Sequence, residues 1–160
     1  MINSCQEIIS ERNFFIQDDE EGKPAYIKYD SGQFEIKNNK ERNISFLKID
    51  DCIYTSKDDT RCDCAVFDDK IFCFIELKTC KVNNQSANRK KADNQLKKTI
   101  INLKSENVVK DKELEAYACL TCEIDNKLTR ITNAYSQDTI YEFEEELDTY
   151  LQYECKKEFN

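Results

Sequence analysis

RCDCAVFDDKIFCFIELK, running from Arg61 to Lys78, reads as two apolar strands folded about a polar turn at Asp68-Asp69-Lys70. Three charges remain at its open end: Asp63 at the start of the first strand, and Glu76 and Lys78 at the end of the second. Side chains alternate faces along a strand, so Glu76 and Lys78 share a face and Leu77 points the other way. A two-residue loop at Asp69-Lys70 pairs Asp68 with Ile71 and sets Asp63 directly across from Glu76. A four-residue loop from Asp68 to Ile71 gives the same pairing. A three-residue loop slips the register by one and turns Asp63 to the opposite face. One specific register therefore gathers two carboxylates and an ammonium. Ala65, Phe67, Phe72 and Phe74 lie on the Asp63 side, and Cys62, Cys64, Val66, Ile71, Cys73, Ile75 and Leu77 on the other. Strands apolar on both sides belong in the middle of a sheet, with helices on each face.

Working outward, residues 44–49 read as a strand ending at Asp50-Asp51, a turn-forming pair. Residues 55–61 are a polar loop. After the hairpin, residues 83–104 read as a helix whose buried stripe is Ala92, Leu96, Thr99, Ile100 and Leu103. Residues 113–124, ELEAYACLTCEI, are another strand. Upstream, residues 1–13 have helical spacing in Ile2, Cys5, Ile8 and Ile9. Residues 14–16 are apolar and give way to an acidic loop, residues 18–22. Residues 25–29 and 33–37 alternate around Ser31-Gly32 as a second hairpin. Residues 138–158 read as a long acidic helix with Ile140, Phe143, Leu147, Tyr150, Leu151 and Cys155 on its apolar side. The expected architecture is α/β: one domain spanning residues 1–160, with a central mixed sheet flanked by helices.

Composition narrows the chemistry. The chain has 160 residues, enough for one domain with one core, and 35% are charged. It contains no histidine, which removes Ser-His-Asp and Cys-His catalysis and histidine–metal sites. Two glycines, Gly22 and Gly32, cannot build a phosphate-cradling loop. Nine cysteines without an apolar leader predict free thiols in a reducing compartment, and so a cytoplasmic protein. Cys62 with Cys64, and Cys119 with Cys122, lie inside strands without the turns that zinc sites use, and read as small buried thiols. No run is apolar enough to cross a membrane.

Net charge is −8, but it is unevenly spread. From Lys78 to Lys104 there are eight basic residues against Asp93 alone, a net +7. Lys81, Arg89, Lys90, Lys91, Lys97 and Lys98 in that segment are the candidate contacts to phosphates. The acidic C-terminal helix is a solvated face, a shield over the basic segment, or a docking surface for a partner protein or a second copy.

Hydrolysing a phosphodiester requires neutralised phosphoryl oxygens and an activated water, which Mg²⁺ or Mn²⁺ provides from a site of hard oxygen ligands. Asp63, Glu76 and the Leu77 carbonyl are the candidate ligands. Lys78 is the candidate for orienting or deprotonating the water and steadying transition-state charge. The tripeptide acid-any-lysine carries no weight alone, because this chain has six of them. Only Glu76-Leu77-Lys78 closes a strand apolar on both faces, with an acid across the hairpin and a basic helix next.

Asp63, twelve intervening residues and Glu76-Leu77-Lys78 resemble the signature of the PD-(D/E)XK nuclease superfamily, the restriction-endonuclease and Holliday-junction-resolvase fold. The match covers roughly residues 44–124, with residues 1–13 as the first helix of an αβββαβ core; the 25–37 hairpin and the C-terminal helix are additions. Cys62 stands where the signature has proline. The resemblance implies a Mg²⁺-dependent nuclease, with Gln95 as the glutamine many members carry on the following helix. It also offers Glu7 or Glu11 as a first-helix acid. It does not identify the substrate; DNA is the expected one, in repair, resolution or anti-phage defence. Asp51, at the end of the strand next to the hairpin, is a candidate supplementary ligand besides its turn-forming role. The alternative is a catalytically silent binding or scaffold module with the same fold. An acidic mimic of nucleic acid fits the net charge but not the basic segment.

Overall fold

The hairpin is built in the register that sets Asp63 against Glu76. The computed structural model describes residues 2–19, 21–56, 60–131 and 136–160. Met1, Glu20 of the acidic loop and residues 57–59 of the polar loop therefore lie outside it. Strands β6 (Cys64–Phe67) and β7 (Ile71–Cys80) pair antiparallel, with Cys64 opposite Ile75 and Ala65 opposite Phe74. The loop is Asp69-Lys70: the Asp68 amide donates to the Ile71 carbonyl. Asp68 Oδ1 accepts the amides of Lys70 and Ile71, each at 2.8 Å. An aspartate before a tight turn satisfies amides that the ladder leaves open, and so fixes the loop length that fixes the register.

Around this hairpin runs a mixed sheet in the order β1-β5-β6-β7-β8-β10, with β9 (Lys127–Arg130) paired to β8. Strands β1 (Gln6–Ile9), β5 (Ile44–Lys48), β6 and β7 are each antiparallel to the next. Strands β8 (Glu113–Ile124) and β10 (Thr149–Gln152) run parallel to β7. Each parallel step is made through a helix, α1 (Gln85–Ser105) and then α2 (Gln137–Leu147). Both helices pack on one face, where Phe72, Phe74 and Ala116 meet Leu96, Ile100 and Phe143.

The other face is covered by a second sheet and not by helices. Its order is β11-β4-β2-β3, with β2 (Asn13–Gln17), β3 (Tyr26–Lys28), β4 (Phe34–Asn38) and β11 (Lys156–Phe159). Phe14, Ile16, Phe34 and Ile36 pack there against Val66, Cys73 and Ile75. Among the described residues the fold is thus mixed α/β with two sheets and two α-helices. The apolar back of the hairpin is satisfied by any apolar layer, and here the layer is strands.

Four further expectations are corrected. Residues 1–13 do not form a helix: a 3-10 turn at Ile2–Cys5 leads into β1, an edge strand of the first sheet. The pairing leaves Ile9 buried and Ile8 largely exposed, a strand alternation that four-residue helical spacing had masked. Residues 25–37 are not a hairpin, because β2 lies between β3 and β4 and pairs with both. The C-terminal helix stops at Leu147, where Asp148 takes a left-handed conformation (φ +48°), and β10 and β11 follow. Finally, four cysteines are not free thiols: Cys5 bonds Cys52 and Cys119 bonds Cys155. The antiparallel β1–β5 pair carries Cys5, just before β1, towards Cys52, just after β5. Cys62, Cys64, Cys73, Cys80 and Cys122 remain free and buried. No helix among the described residues is long and apolar enough to cross a membrane.

One buried acid on α1 makes stability pH-dependent. Asp93 accepts hydrogen bonds from Tyr153 (2.9 Å) and Arg89 (3.0 Å). Burial nonetheless raises its carboxyl from the ordinary 3.8 to about 6, against the pull of Tyr153 and Arg89. Between those values the unfolded chain has lost a proton that the folded chain retains. Asp93 therefore costs stability progressively as pH rises from about 4 to about 6. The difference between Asp93→Asn and wild-type urea midpoints should grow in favour of the variant across that window and level off above it. A pH-independent difference would show that the proton is not held.

Candidate active site

Asp63 stands just before β6 and Glu76 lies in β7, and two backbone-to-carboxylate hydrogen bonds join the two strands there. The Asp63 amide donates to Glu76 Oε2 at 3.1 Å, and the Leu77 amide donates to Asp63 Oδ2 at 2.6 Å. Both carboxyls are buried, Glu76 completely. Lys78 Nζ stands 2.5 Å from Glu76 Oε1. The amide and carbonyl of one strand residue point to the same neighbouring strand, so the Leu77 carbonyl also faces the Asp63 side.

Gln95, on α1, reaches the same place. Its Nε2 donates to the Arg61 carbonyl at 2.8 Å, and its buried Oε1 has no hydrogen-bond partner among the described residues. Thr99, one turn on, accepts the Cys62 amide at 2.8 Å. Two side chains of α1 thus hold the residues leading into Asp63. Arg61 itself pairs with Asp50 at 2.5 Å. Asp51 is in a left-handed turn (φ +57°), as expected of a turn-forming pair. Asp50, Asp51, Arg61, Asp63, Leu77, Lys78 and Gln95 all line one cleft of about 1050 Å³.

The other wall of the cleft comes from the second sheet. Asp18, directly after β2, lines the cleft together with Asp63, and the two carboxyls influence each other's charge. Sequence reasoning placed it in an acidic loop and missed it; the only signal was an acid directly following an apolar strand, which has no specificity. Glu7 and Glu11, the first-helix candidates, are elsewhere: Glu7 is ion-paired to Lys48 across β1–β5, and Glu11 is exposed in the turn after β1. Among the described residues no α-helix precedes β1 to carry such an acid.

Crowding sets the electrostatics. Asp63 is held well above the usual carboxylate range, first by burial and then by the charges of Glu76 and Asp18. Burial also raises Glu76 to about 7, more than Lys78 pulls it down. Asp18 is raised, chiefly by burial. Burial works against the charge on Lys78, but Glu76, Asp63 and Asp18 together raise its pKa. One ammonium among three carboxyls keeps its proton, while the carboxyls are short of positive charge. In this state Lys78 is a proton donor and a point charge, not a base.

The donor set suits a hard cation. Among the described residues no three Cys, Asp or Glu side chains converge into a closed cage. Mg²⁺ seldom uses one: it binds through one or two carboxylates and keeps water and substrate oxygens for the rest. Two buried carboxyls short of positive charge, a carbonyl between them and an open acceptor on Gln95 meet that description.

The basic segment divides. Arg89 is bound to Asp93, and Lys97 pairs with Glu142 and, at 3.4 Å, with Glu146 of α2. Lys104 donates to the Leu147 carbonyl at the end of α2. Arg89 and Lys97, expected among the phosphate contacts, are thus spent inside the protein, and α2 shields part of the basic face. Lys81, Lys90, Lys91 and Lys98 are exposed and form no ion pair among the described residues. Lys91 and Lys98 lie one turn before and after Gln95 on the same stripe of α1. No family model matches the chain, and neither does any curated protein or solved structure.

Proposed function

We propose that this protein is a divalent-cation-dependent nuclease acting on DNA, with its catalytic centre at Asp63, Glu76 and Lys78. The observation that carries the reading is the pair of backbone-to-carboxylate hydrogen bonds, Asp63 amide to Glu76 and Leu77 amide to Asp63, which hold the two carboxyls together beside a cleft lined by Asp63, Leu77 and Lys78. The chain order β5-β6-β7-α1-β8 supports the likeness to the PD-(D/E)XK core, with the acid before the second of those strands and Glu-Leu-Lys on the third.

Asp63 and Glu76, with the Leu77 carbonyl, would hold Mg²⁺ or Mn²⁺. Bound there, the cation supplies neutralisation of the phosphoryl oxygens and a more acidic water. The chain's own groups do the rest. Lys78, kept protonated by its neighbours, sets a fixed positive charge where negative charge develops in the transition state. Gln95 offers its open carbonyl oxygen to a donor in the cleft, and its amide fixes the backbone at Arg61. Lys91 and Lys98 supply phosphate contacts on either side of Gln95, which position the strand without reading its sequence.

The test is cleavage of supercoiled and branched DNA by the purified protein with Mg²⁺ or Mn²⁺. Lys78→Ala should lower the rate by about a hundredfold or more, with unchanged circular dichroism. A protein that binds DNA but cuts none, with either cation, would be the silent binding module instead.

A further inference from the structure

The charges around the cleft are unevenly spread. On the α1 side Gln95 lines the cleft, with Arg61 paired to Asp50 and with Asp51 beside them; Lys91 and Lys98, one turn from Gln95 in each direction on the exposed surface of α1, flank the cleft without lining it. On the side of the second sheet stand Asp18, Asp19 and Glu21. Lys23 is the base on that side that lines the cleft, and it is already engaged with a neighbour. This acidic wall is tied down. The Asp18 amide donates to Gln33 Oε1 at 2.7 Å, and the Gln33 amide donates to Gln17 Oε1 at 3.1 Å. Gln33 Nε2 reaches Thr79 on β7 at 3.2 Å, one residue beyond Lys78. The Tyr26 hydroxyl donates to Asp19 at 3.2 Å. The wall is therefore attached both to its own sheet and to the strand that carries Glu76 and Lys78.

A DNA duplex brings phosphates on two strands, one flanking each side of whichever groove faces the protein, and duplex affinity depends on neutralising both. In this cleft one backbone would run along Lys91 and Lys98, and the other would be pressed towards Asp19 and Glu21. A single strand has one backbone and can follow the basic side alone. Among the described residues no aromatic side chain lines the cleft, so stacking on them would not add a base preference.

Resting on the nuclease reading above, we infer that Asp19 and Glu21 act as an excluding wall, and that the substrate is single-stranded DNA or the single-stranded part of a branched molecule. The wall selects by charge, and the loop that carries it is a specificity determinant that does not itself touch the reacting phosphate.

The test uses the full chain and one short labelled sequence, presented as a single strand and as a blunt duplex. Binding is read by fluorescence anisotropy in Ca²⁺ and without divalent ions, and cleavage in Mg²⁺. Wild type should favour the single strand by about tenfold or more in both readouts. Asp19→Lys with Glu21→Lys should gain duplex binding and shrink that ratio at least about threefold. Asp19→Asn with Glu21→Gln should move it the same way by less, which guards against a misfolded reversal. Equal or better use of duplex by wild type overturns the inference. So does a ratio that neither variant moves, or no binding of either form. If nothing is cut but the binding preference and its response to the variants are present, the nuclease reading falls and the wall stands.

Discussion

Asp63→Asn should abolish Mg²⁺-dependent cleavage, by about a thousandfold or more, and at the same time raise the melting temperature of the metal-free protein. The two effects have one cause. The asparagine oxygen can still accept the Leu77 amide, so the link between β6 and β7 survives. What disappears is a buried carboxyl whose charged form is penalised by burial and by Glu76 and Asp18. A loss of three factors of ten corresponds to about 4 kcal/mol of transition-state stabilisation, within what an active-site ligand provides. The gain in stability should be largest above neutral pH. The folded protein holds this proton to higher pH than the unfolded chain, so the wild type loses stability as pH rises through that interval. Parallel cleavage assays and thermal melts at pH 8 check both halves. Wild-type cleavage by the variant would show that the site is misassigned. Cleavage lost together with a lower melting temperature would show that the carboxylate is structural.

Phe74→Ala should be the most damaging single change in the core, costing about 3–5 kcal/mol out of a total stability of order 5–15. Phe74 is fully buried between the first sheet and α1. Its ring lies 4.9 Å from that of Phe72. Its partners in register are Ala65 on β6 and Ala116 on β8. Alanines have no side chain that can lean into the hole, so the cavity stays open and the full packing loss is felt. Urea midpoints measure it. Tyr150→Ala, on an exposed side chain of β10, should change stability by less than about 0.5 kcal/mol and serves as the control. A Phe74→Ala loss below about 1 kcal/mol would mean that the layers close around the gap.

What the sequence made legible follows from how local each decision is. The hairpin register depends on a two-residue loop and an aspartate before it, all within neighbouring residues. α1 and β8 were legible because each is long and has one strong signal: a buried stripe with period near four, and a twelve-residue run of mostly apolar residues. Residues 1–13 were misread because four apolar positions fit both a helix and a short edge strand, and pairing with β5 decided between them. The end of α2 was missed because Asp148 in a left-handed turn gives no signal that exposed acids elsewhere on the helix do not also give. The order of the second sheet was hidden for a different reason. β3 and β4 look like a hairpin locally, but β2 outcompetes that pairing by supplying two apolar partners at once.

The candidate site divides in the same way. Asp63, Glu76, Leu77, Lys78 and Gln95 lie on elements whose spacing is local, and they converge. Asp18 depends on how the second sheet docks, and no spacing in the chain encodes that. Arg89 and Lys97 were misjudged because a basic stripe reads as free until its acidic neighbours are known: Asp93, one turn along α1, takes Arg89, and Glu142 and Glu146 on α2 take Lys97.

The second sheet draws on both ends of the described chain. Its β4 is flanked by β2 on one side and on the other by β11, which arrives more than a hundred residues later. On the ribosome, β4 must therefore wait with one edge bare until β11 has been made, and a bare edge strand is what captures other chains. The same delay keeps the acidic side of the cleft without its finished support until β11 is in place. Synthesis itself thus imposes an order, with the hairpin and α1 early and the wall late. A nascent chain would carry the proposed catalytic residues before it carries the means to restrict what they meet.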